Sequence, residues 1–240
     1  MNREFIFYKN KHKDKTAILF ASGPTLELYN FDSSKDWVRV GVNSVIYKED
    51  LKLDYFFGGQ NVRRESWNHP HHDLEIKSPI FNQLDKRKDE MEIFLLNKIV
   101  YDIQNKPTWV DKANDELFTN EEIQMLGAIS FECHTERGVS AFQIDINTNP
   151  LYDRRIVFPA LQFLLYTGVK EIYLVGCDCG YGASYLEPNK RWDHDIKNKT
   201  EGTISFWKEF KEFVDINFKD VKIISINPKG LKGMFEDVYE

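Results

Sequence analysis

His194 lies between Asp193 and Asp195, just after Trp192, with Tyr181 and Tyr185 a short way upstream. Imidazole titrates near neutrality, so a histidine in a polar loop can take or give a proton at physiological pH. The adjoining carboxylates and nearby tyrosines favour a catalytic role over a plain surface loop. A second set is Ala21-Ser22-Gly23-Pro24-Thr25-Leu26. Gly23 permits close backbone approach, Pro24 suits a first helical turn, and N–H groups at a helix start favour a phosphate, although Ser-Gly-Pro also makes ordinary turns. The third is Gly41-Val42-Asn43-Ser44, where the Asn amide offers donor and acceptor to a base edge or ribose hydroxyl, or simply caps a loop. Asp178 follows the apolar run Ile172–Val175, and Arg154 with Arg155 could bind a phosphate or sugar carboxylate, or form a surface ion pair. His69, His71 and His72 surround Pro70 without a distant partner at metal-ligand spacing, so a solvated loop or a substrate-facing lid is the better reading.

These residues need a frame that gathers strand ends. Thr16–Ala21, Trp37–Val42 and Leu53–Phe57 read as strands, short, apolar and bounded by Gly, Asp or Ser. Met91–Val100 fits strand or helix, and Lys106–Phe131 is weakly patterned. Arg155–Tyr166 reads as a helix, with Pro159 near its start and Gly168 past its end. Ile172–Val175 has the length and branching of a strand covered on both faces. Thr203–Phe218 carries Ile204, Trp207, Phe210, Val214 and Phe218 on one helical stripe, and Val221–Ile226 is the last strand expected. Alternation of strand and helix predicts an α/β fold: one doubly wound, Rossmann-like, mostly parallel sheet with helices on both faces and a small lid region. Residues 1–240 form a single nucleotide-binding domain, with a lid or subdomain within 179–202. Ligands of such sheets sit beyond the carboxyl ends of the strands, where all three polar sets fall.

With 240 residues, 42% of them apolar, the chain can bury a large core. Its net charge of −6 argues against nucleic acid as a partner. No run of eighteen apolar residues occurs, and Met1–Lys15 has no apolar signal core, so a soluble, unsecreted protein is expected. Cys133, Cys177 and Cys179 form an odd set without metal spacing, which fits a reducing cytoplasm. Five Trp leave room for a homo-oligomer interface or a sugar-stacking surface. Only Lys229 and Lys232 precede the acidic C-terminus, a weak anchor for peripheral contact with the inner face of a membrane.

The Gly-Pro-Thr-Leu turn after strand one, the Asn after strand two and the run Thr167-Gly168-Val169-Lys170-Glu171-Ile172-Tyr173-Leu174-Val175-Gly176-Cys177-Asp178 together resemble a known group. It is that of the small bacterial sialyltransferases of lipooligosaccharide synthesis. Their wider relatives include flagellin-modifying motility accessory factors and a 6-hydroxymethylpterin diphosphokinase family. The resemblance runs in order from Ile18 to Phe235 and is sharpest over the last run. It implies that Ser22, Gly23, Pro24 and Thr25 lie by nucleotide phosphates and that Asn43 contacts the nucleotide. Tyr181 and Tyr185 would stand near the donor phosphate, with His194 as general base. The family has Asn where this chain has Ser22, and Arg-x-Thr-Ser-Gly where this chain has Arg154-Arg155-Ile156-Val157, which leaves the donor open.

The activity implied is inverting transfer from a nucleotide sugar, CMP-sialic acid or a related CMP-sugar, to a cell-surface glycan or glycolipid, with no metal or further cofactor required. One alternative is a nucleotide-using diphosphokinase needing Mg²⁺ on Asp178 and Asp193 or Asp195. Another is a non-catalytic nucleotide- or sugar-binding module.

Overall fold

Short apolar runs rich in β-branched and aromatic residues become the strands of one sheet. The computed structural model describes residues 3–31, 35–59, 79–100, 117–135, 138–152, 155–179 and 196–240. The strands are β1 Thr16–Phe20, β2 Val38–Val42, β3 Tyr55–Gly58, β4 Glu92–Val100, β5 Ile129–His134, β6 Leu151–Tyr152, β7 Glu171–Val175, β8 Lys222–Ile226 and β9 Glu236–Val238. Their spatial order is β6-β5-β4-β3-β2-β1-β7-β8-β9, and every pairing is parallel. The chain therefore runs outward from β1 to β6, returns to lay β7 on the free side of β1, and continues the other way. Where the direction reverses, between β1 and β7, the connections leave on opposite sides and open a crevice at the carboxyl ends.

The pleat divides the core. Ala17 and Leu19 of β1 face one layer, Ile18 and Phe20 the other. On the first face pack α3, Val157–Tyr166, and α4, Ile196–Asn217. Phe158, Leu161 and Leu164 of α3, with Trp207, Phe210 and Val214 of α4, cover Leu19, Val40, Ile172 and Leu174. The second face carries α1, Pro79–Arg87, α2, Asn120–Met125, and the 3-10 turns Pro24–Leu28 and Asn43–Tyr47. Val45, Ile46, Phe81 and Leu84 there cover Ile18, Phe20, Phe56 and Leu95. Each such side chain contributes about 1.5–3 kcal/mol on burial, so the two layers fix the strand ends firmly.

The doubly wound α/β expectation holds, with refinements. The Met91–Val100 stretch is strand, because Ile93, Phe94, Leu95 and Leu96 are buried in succession between the two layers. The weakly patterned region contains α2, started by a capping box in which Thr119 Oγ1 accepts from Glu122 N and Glu122 returns the bond to Thr119 N. Three strands were not foreseen. β5 begins inside the weakly patterned region and pairs along β4. β6 has only two residues and is held by buried Gln162 of α3, whose amide donates to Tyr152 O at 2.6 Å and accepts from Tyr152 N at 3.2 Å. β9 forms from the C-terminal segment and extends the edge beyond β8, the last strand expected. α4 starts earlier than its aromatic stripe suggests, so residues 196–202 are helical. On β7, Tyr173 is only half-buried and stacks on Trp37, ring centroids 4.6 Å apart. Among the described residues, no helix is long and apolar enough to cross a membrane.

Candidate functional site

The carboxyl ends of β1 and β7 approach so closely that side chains are excluded between them. Ala21 N donates to Val175 O at 2.8 Å and Gly23 N to Gly176 O at 2.9 Å, prolonging the contact past both strands. Gly176 has φ +72°, and a Cβ on it would collide with Ala21 O. A Cβ on Gly23 would strike Asp178 Oδ2 and Gly176 O. The glycine expected to admit a phosphate thus first admits a neighbouring strand end.

Asp178 reaches across this contact. Its Oδ2 accepts from Thr25 N and its Oδ1 from Thr25 Oγ1, both at 2.8 Å, and the residue is 4% exposed. Burial pushes the carboxyl above its ordinary value; the two Thr25 hydrogen bonds and the charge of Lys229 pull the other way. The short Pro24–Leu28 helix has no side-chain cap of its own at Gly23, and Asp178 supplies one from another strand.

Counting backbone donors changes what this turn offers. Gly23 N is bonded to Gly176 O, Thr25 N to Asp178, and Leu26 N to Gly23 O, while Pro24 has no N–H. A phosphate cradle of backbone amides, as expected from Ser22, Gly23, Pro24 and Thr25, would have to displace these bonds. Ser22 keeps its hydroxyl and amide unbonded among the described residues.

Asn43 follows β2 as Ser22 follows β1. The two strands pair as far as Phe20 level with Gly41, so both residues leave neighbouring strands at the carboxyl edge of the sheet. Asn43 has φ +50°, a left-handed conformation that Asn tolerates better than most residues, as its chain leaves β2 for the Asn43–Tyr47 turn. Its amide is half-buried and has no hydrogen-bond partner among the described residues. Among the described residues the carboxyl edge of the sheet thus carries the Ser22 hydroxyl after β1 and the Asn43 carboxamide after β2, and the Asp178 carboxylate after β7 is turned inward to Thr25.

Arg155 is not brought to this edge in any described contact. Its guanidinium lies 3.8 Å from the ring centroid of Phe206 on α4, and neighbouring Ile156 packs against Gly59 beyond β3. His194, Tyr181, Tyr185, Arg154, Asp193, Asp195 and the histidines at 69, 71 and 72 lie outside the described residues. Cys177 and Cys179 flank Asp178, and burial raises both thiols, Cys179 to about 12, so neither is a thiolate at neutral pH. Lys229, beyond β8, is a contributor to this region that sequence reading assigned only to weak membrane contact. Its signal was the Asn227-Pro228-Lys229 turn directly after a buried strand.

A cavity of 510 Å³ opens at the other end of the sheet, among the amino ends of β2, β3 and β4. Its polar groups largely satisfy one another. His12 Nε2 and Tyr55 OH are 2.8 Å apart, Lys11 pairs with Glu92 at 3.1 Å, Lys15 with Asp36 at 3.2 Å, and Tyr8 donates to Glu92. This network fastens the N-terminal turn to the sheet.

No protein family matches the chain in sequence, and no curated protein does. Among solved structures similar to it are two sialyltransferase complexes. One is the sialyltransferase CstII from Campylobacter jejuni in complex with a substrate analogue, cytidine-5'-monophosphate. It is 17% identical, with 89% of this chain and 80% of that chain covered and a TM-score of 0.41. The other is the sialyltransferase CST-II in complex with a trisaccharide acceptor and CMP, 15% identical over 88% of this chain and 80% of that one, TM-score 0.42. Likeness at this level does not by itself assign an activity.

Proposed function

We propose that the chain is a glycosyltransferase that binds a nucleotide-activated sugar, CMP-sialic acid or a related CMP-sugar, in the crevice between the carboxyl ends of β1 and β7. The observation that carries this reading is the pair Ser22 and Asn43. These two polar side chains, without a hydrogen-bond partner among the described residues, follow the adjacent parallel strands β1 and β2 at the carboxyl edge of the sheet, Ser22 entering the turn that Asp178 holds through Thr25. Open parallel sheets bind nucleotides at this position. The resemblance carried by Thr167–Asp178 points to the same class of activity.

In this reading Asn43 contacts the nucleoside and Ser22 the phosphate, and Gly23, Pro24 and Thr25 shape the turn without giving amides to the ligand. Asp178 positions that turn. His194 takes the proton from an acceptor hydroxyl while that oxygen attacks the anomeric carbon. The bond from that carbon to the phosphate oxygen breaks, and its electron pair leaves with the nucleotide. Tyr181 and Tyr185 donate hydrogen bonds to the charge that develops there, and Arg154 supplies a further cation for phosphate or sugar carboxylate. No metal is required by this scheme. The acceptor is a glycan or glycolipid, as in lipopolysaccharide biosynthesis, used by a bacterial cytoplasmic enzyme at the inner face of the membrane.

A diphosphokinase needing Mg²⁺ on Asp178 would have to bring the ion to a buried carboxylate whose two oxygens already accept from Thr25. The experiment is a product assay: the purified chain with CMP-sialic acid and a galactose-terminated acceptor, with and without chelator. New glycan product that persists in chelator and vanishes in His194→Ala supports the reading. Nucleotide turnover that requires Mg²⁺, without glycan product, refutes it.

A further inference from the structure

We propose that the turn carrying Ile6, Phe7, Lys9 and Lys13 docks the protein on an anionic lipid surface. The observations behind this lie at the amino ends of the strands, away from Ser22 and Asn43, and do not depend on the nucleotide reading above.

A 3-10 helix has three residues per turn, so in the helix Arg3–Tyr8 the side chains of Phe5 and Tyr8 share one side and those of Ile6 and Phe7 take the others. Phe5 is buried against Phe94 and Phe163, and Tyr8 is buried beside it. Ile6 is 49% exposed and Phe7 79%, the largest exposure of any large apolar side chain among the described residues. On a frayed segment that would mean little. Here the backbone is fastened: Tyr8 donates to Glu92, Asn10 N to Tyr166 O at 3.1 Å, and His12 N to Thr167 O and Asp14 N to Gly168 O, both at 2.9 Å. The apolar pair is held out in solvent on a fixed support, so its burial at a surface costs little ordering entropy.

The charges of the same segment select the surface. Lys9, Lys11, Lys13 and Lys15 are all exposed. Lys11 pairs with Glu92 and Lys15 with Asp36, whereas Lys9 and Lys13 form no ion pair among the described residues. Lys9 N donates to Ile6 O, which sets Lys9 one turn on from the apolar pair. Lys170, exposed and likewise without an ion pair among the described residues, donates its N–H to Lys15 O at 2.9 Å and so adjoins the segment. Glu4 and Asp14 are the segment's own acids. Apolar side chains among free lysines suit a bilayer interface, where the former enter the acyl boundary and ammonium groups meet lipid phosphates. Two copies of this turn would instead bring Lys9 and Lys13 against their like. Docking through the amino ends of β3 and β4, where Tyr8 and His12 are tied, leaves the carboxyl edge free.

The test is co-sedimentation of the full chain with vesicles of phosphatidylcholine, alone or mixed with phosphatidylglycerol. The wild type should bind the mixed vesicles, and less so as salt rises. Phe7→Ser should weaken that binding about tenfold or more, as one apolar side chain kept from burial implies, and Lys9→Gln with Lys13→Gln should weaken it about tenfold. Because these side chains face solvent, thermal midpoints and CMP affinity should match the wild type, which separates docking from folding. No binding of the wild type to mixed vesicles, equal binding to phosphatidylcholine alone, or equal binding by Phe7→Ser overturns the proposal. So does a dimer of the wild type that forms without lipid and is lost in Phe7→Ser, since the turn would then belong to a second copy. Vesicle binding without CMP binding upholds the docking turn and refutes the nucleotide reading; CMP binding without vesicle binding does the reverse.

Discussion

Asp178 holds Thr25 through two hydrogen bonds of 2.8 Å, one to its backbone N–H and one to its hydroxyl, and in doing so clamps the end of β7 to the turn after β1. The carboxylate is buried beneath the crevice and builds its wall.

That relationship makes a charge-free replacement informative. Asparagine at 178 can accept from Thr25 N through its carbonyl and donate to Thr25 Oγ1, so Asp178→Asn should be as stable as the wild type at pH 7, or more so. Asp178→Ala leaves a buried N–H and hydroxyl unbonded and should lose about 1–3 kcal/mol. The sign with pH follows from burial. Because the folded carboxyl is raised, its protonated form favours the native state; that stability is full below the unfolded value and is lost as pH rises through the folded value. Urea titrations at pH 4 and pH 7 should show this dependence in the wild type and its reduction in Asp178→Asn.

Gly23→Ala tests the close approach directly. Its Cβ meets Asp178 Oδ2 and Gly176 O, neither of which can withdraw without breaking a hydrogen bond. A loss of about 1–3 kcal/mol is expected in chemical denaturation, and a neutral substitution would mean that the strand ends stand further apart than described.

At the opposite end of the sheet, His12 is held neutral. Burial lowers its pKa first, Lys11 and Lys15 lower it further, and Asp54 and Glu92 oppose them. A histidine depressed in the fold leaves stability intact above its unfolded value and removes it as pH falls below about 6.5 toward the folded value. The difference in unfolding free energy between wild type and His12→Gln should therefore change between pH 7 and pH 5, the wild type losing more. Parallel curves for the two proteins would remove His12 from the titration.

Ser225 on β8 is 2% exposed and its hydroxyl has no partner among the described residues. Ser225→Ala removes an unbonded polar group and should leave stability unchanged or raise it by roughly 1 kcal/mol. A loss greater than that would mean that an ordered water satisfies the hydroxyl in solution.

The strands that meet at the crevice were legible because each is a short run of Val, Ile, Leu and Phe buried on both faces, a pattern independent of partners far along the chain. Ser22 and Asn43 were legible for the related reason that turn residues after such runs must fall at the sheet's carboxyl edge. The bond between Asp178 and Thr25 was not, since 153 positions separate them and only strand order makes them neighbours. Gly23 could be seen to need closeness, but whether to a phosphate or to another strand depends on that same order. β6 escaped notice because its two residues are held by Gln162 rather than by propensity, and β9 because a charged tail became a strand only by pairing with β8.

Nucleotide binding at the Ser22–Asn43 edge is the central claim, and calorimetric titration with CMP tests it most directly. Asn43→Gly is the right variant, because glycine keeps the left-handed backbone at φ +50° without strain while removing the amide. The wild type should bind CMP, and Asn43→Gly and Ser22→Ala should each bind it about tenfold more weakly, as loss of a hydrogen bond to a ligand implies. CMP affinity unchanged in both variants, or no binding to the wild type, would contradict the account.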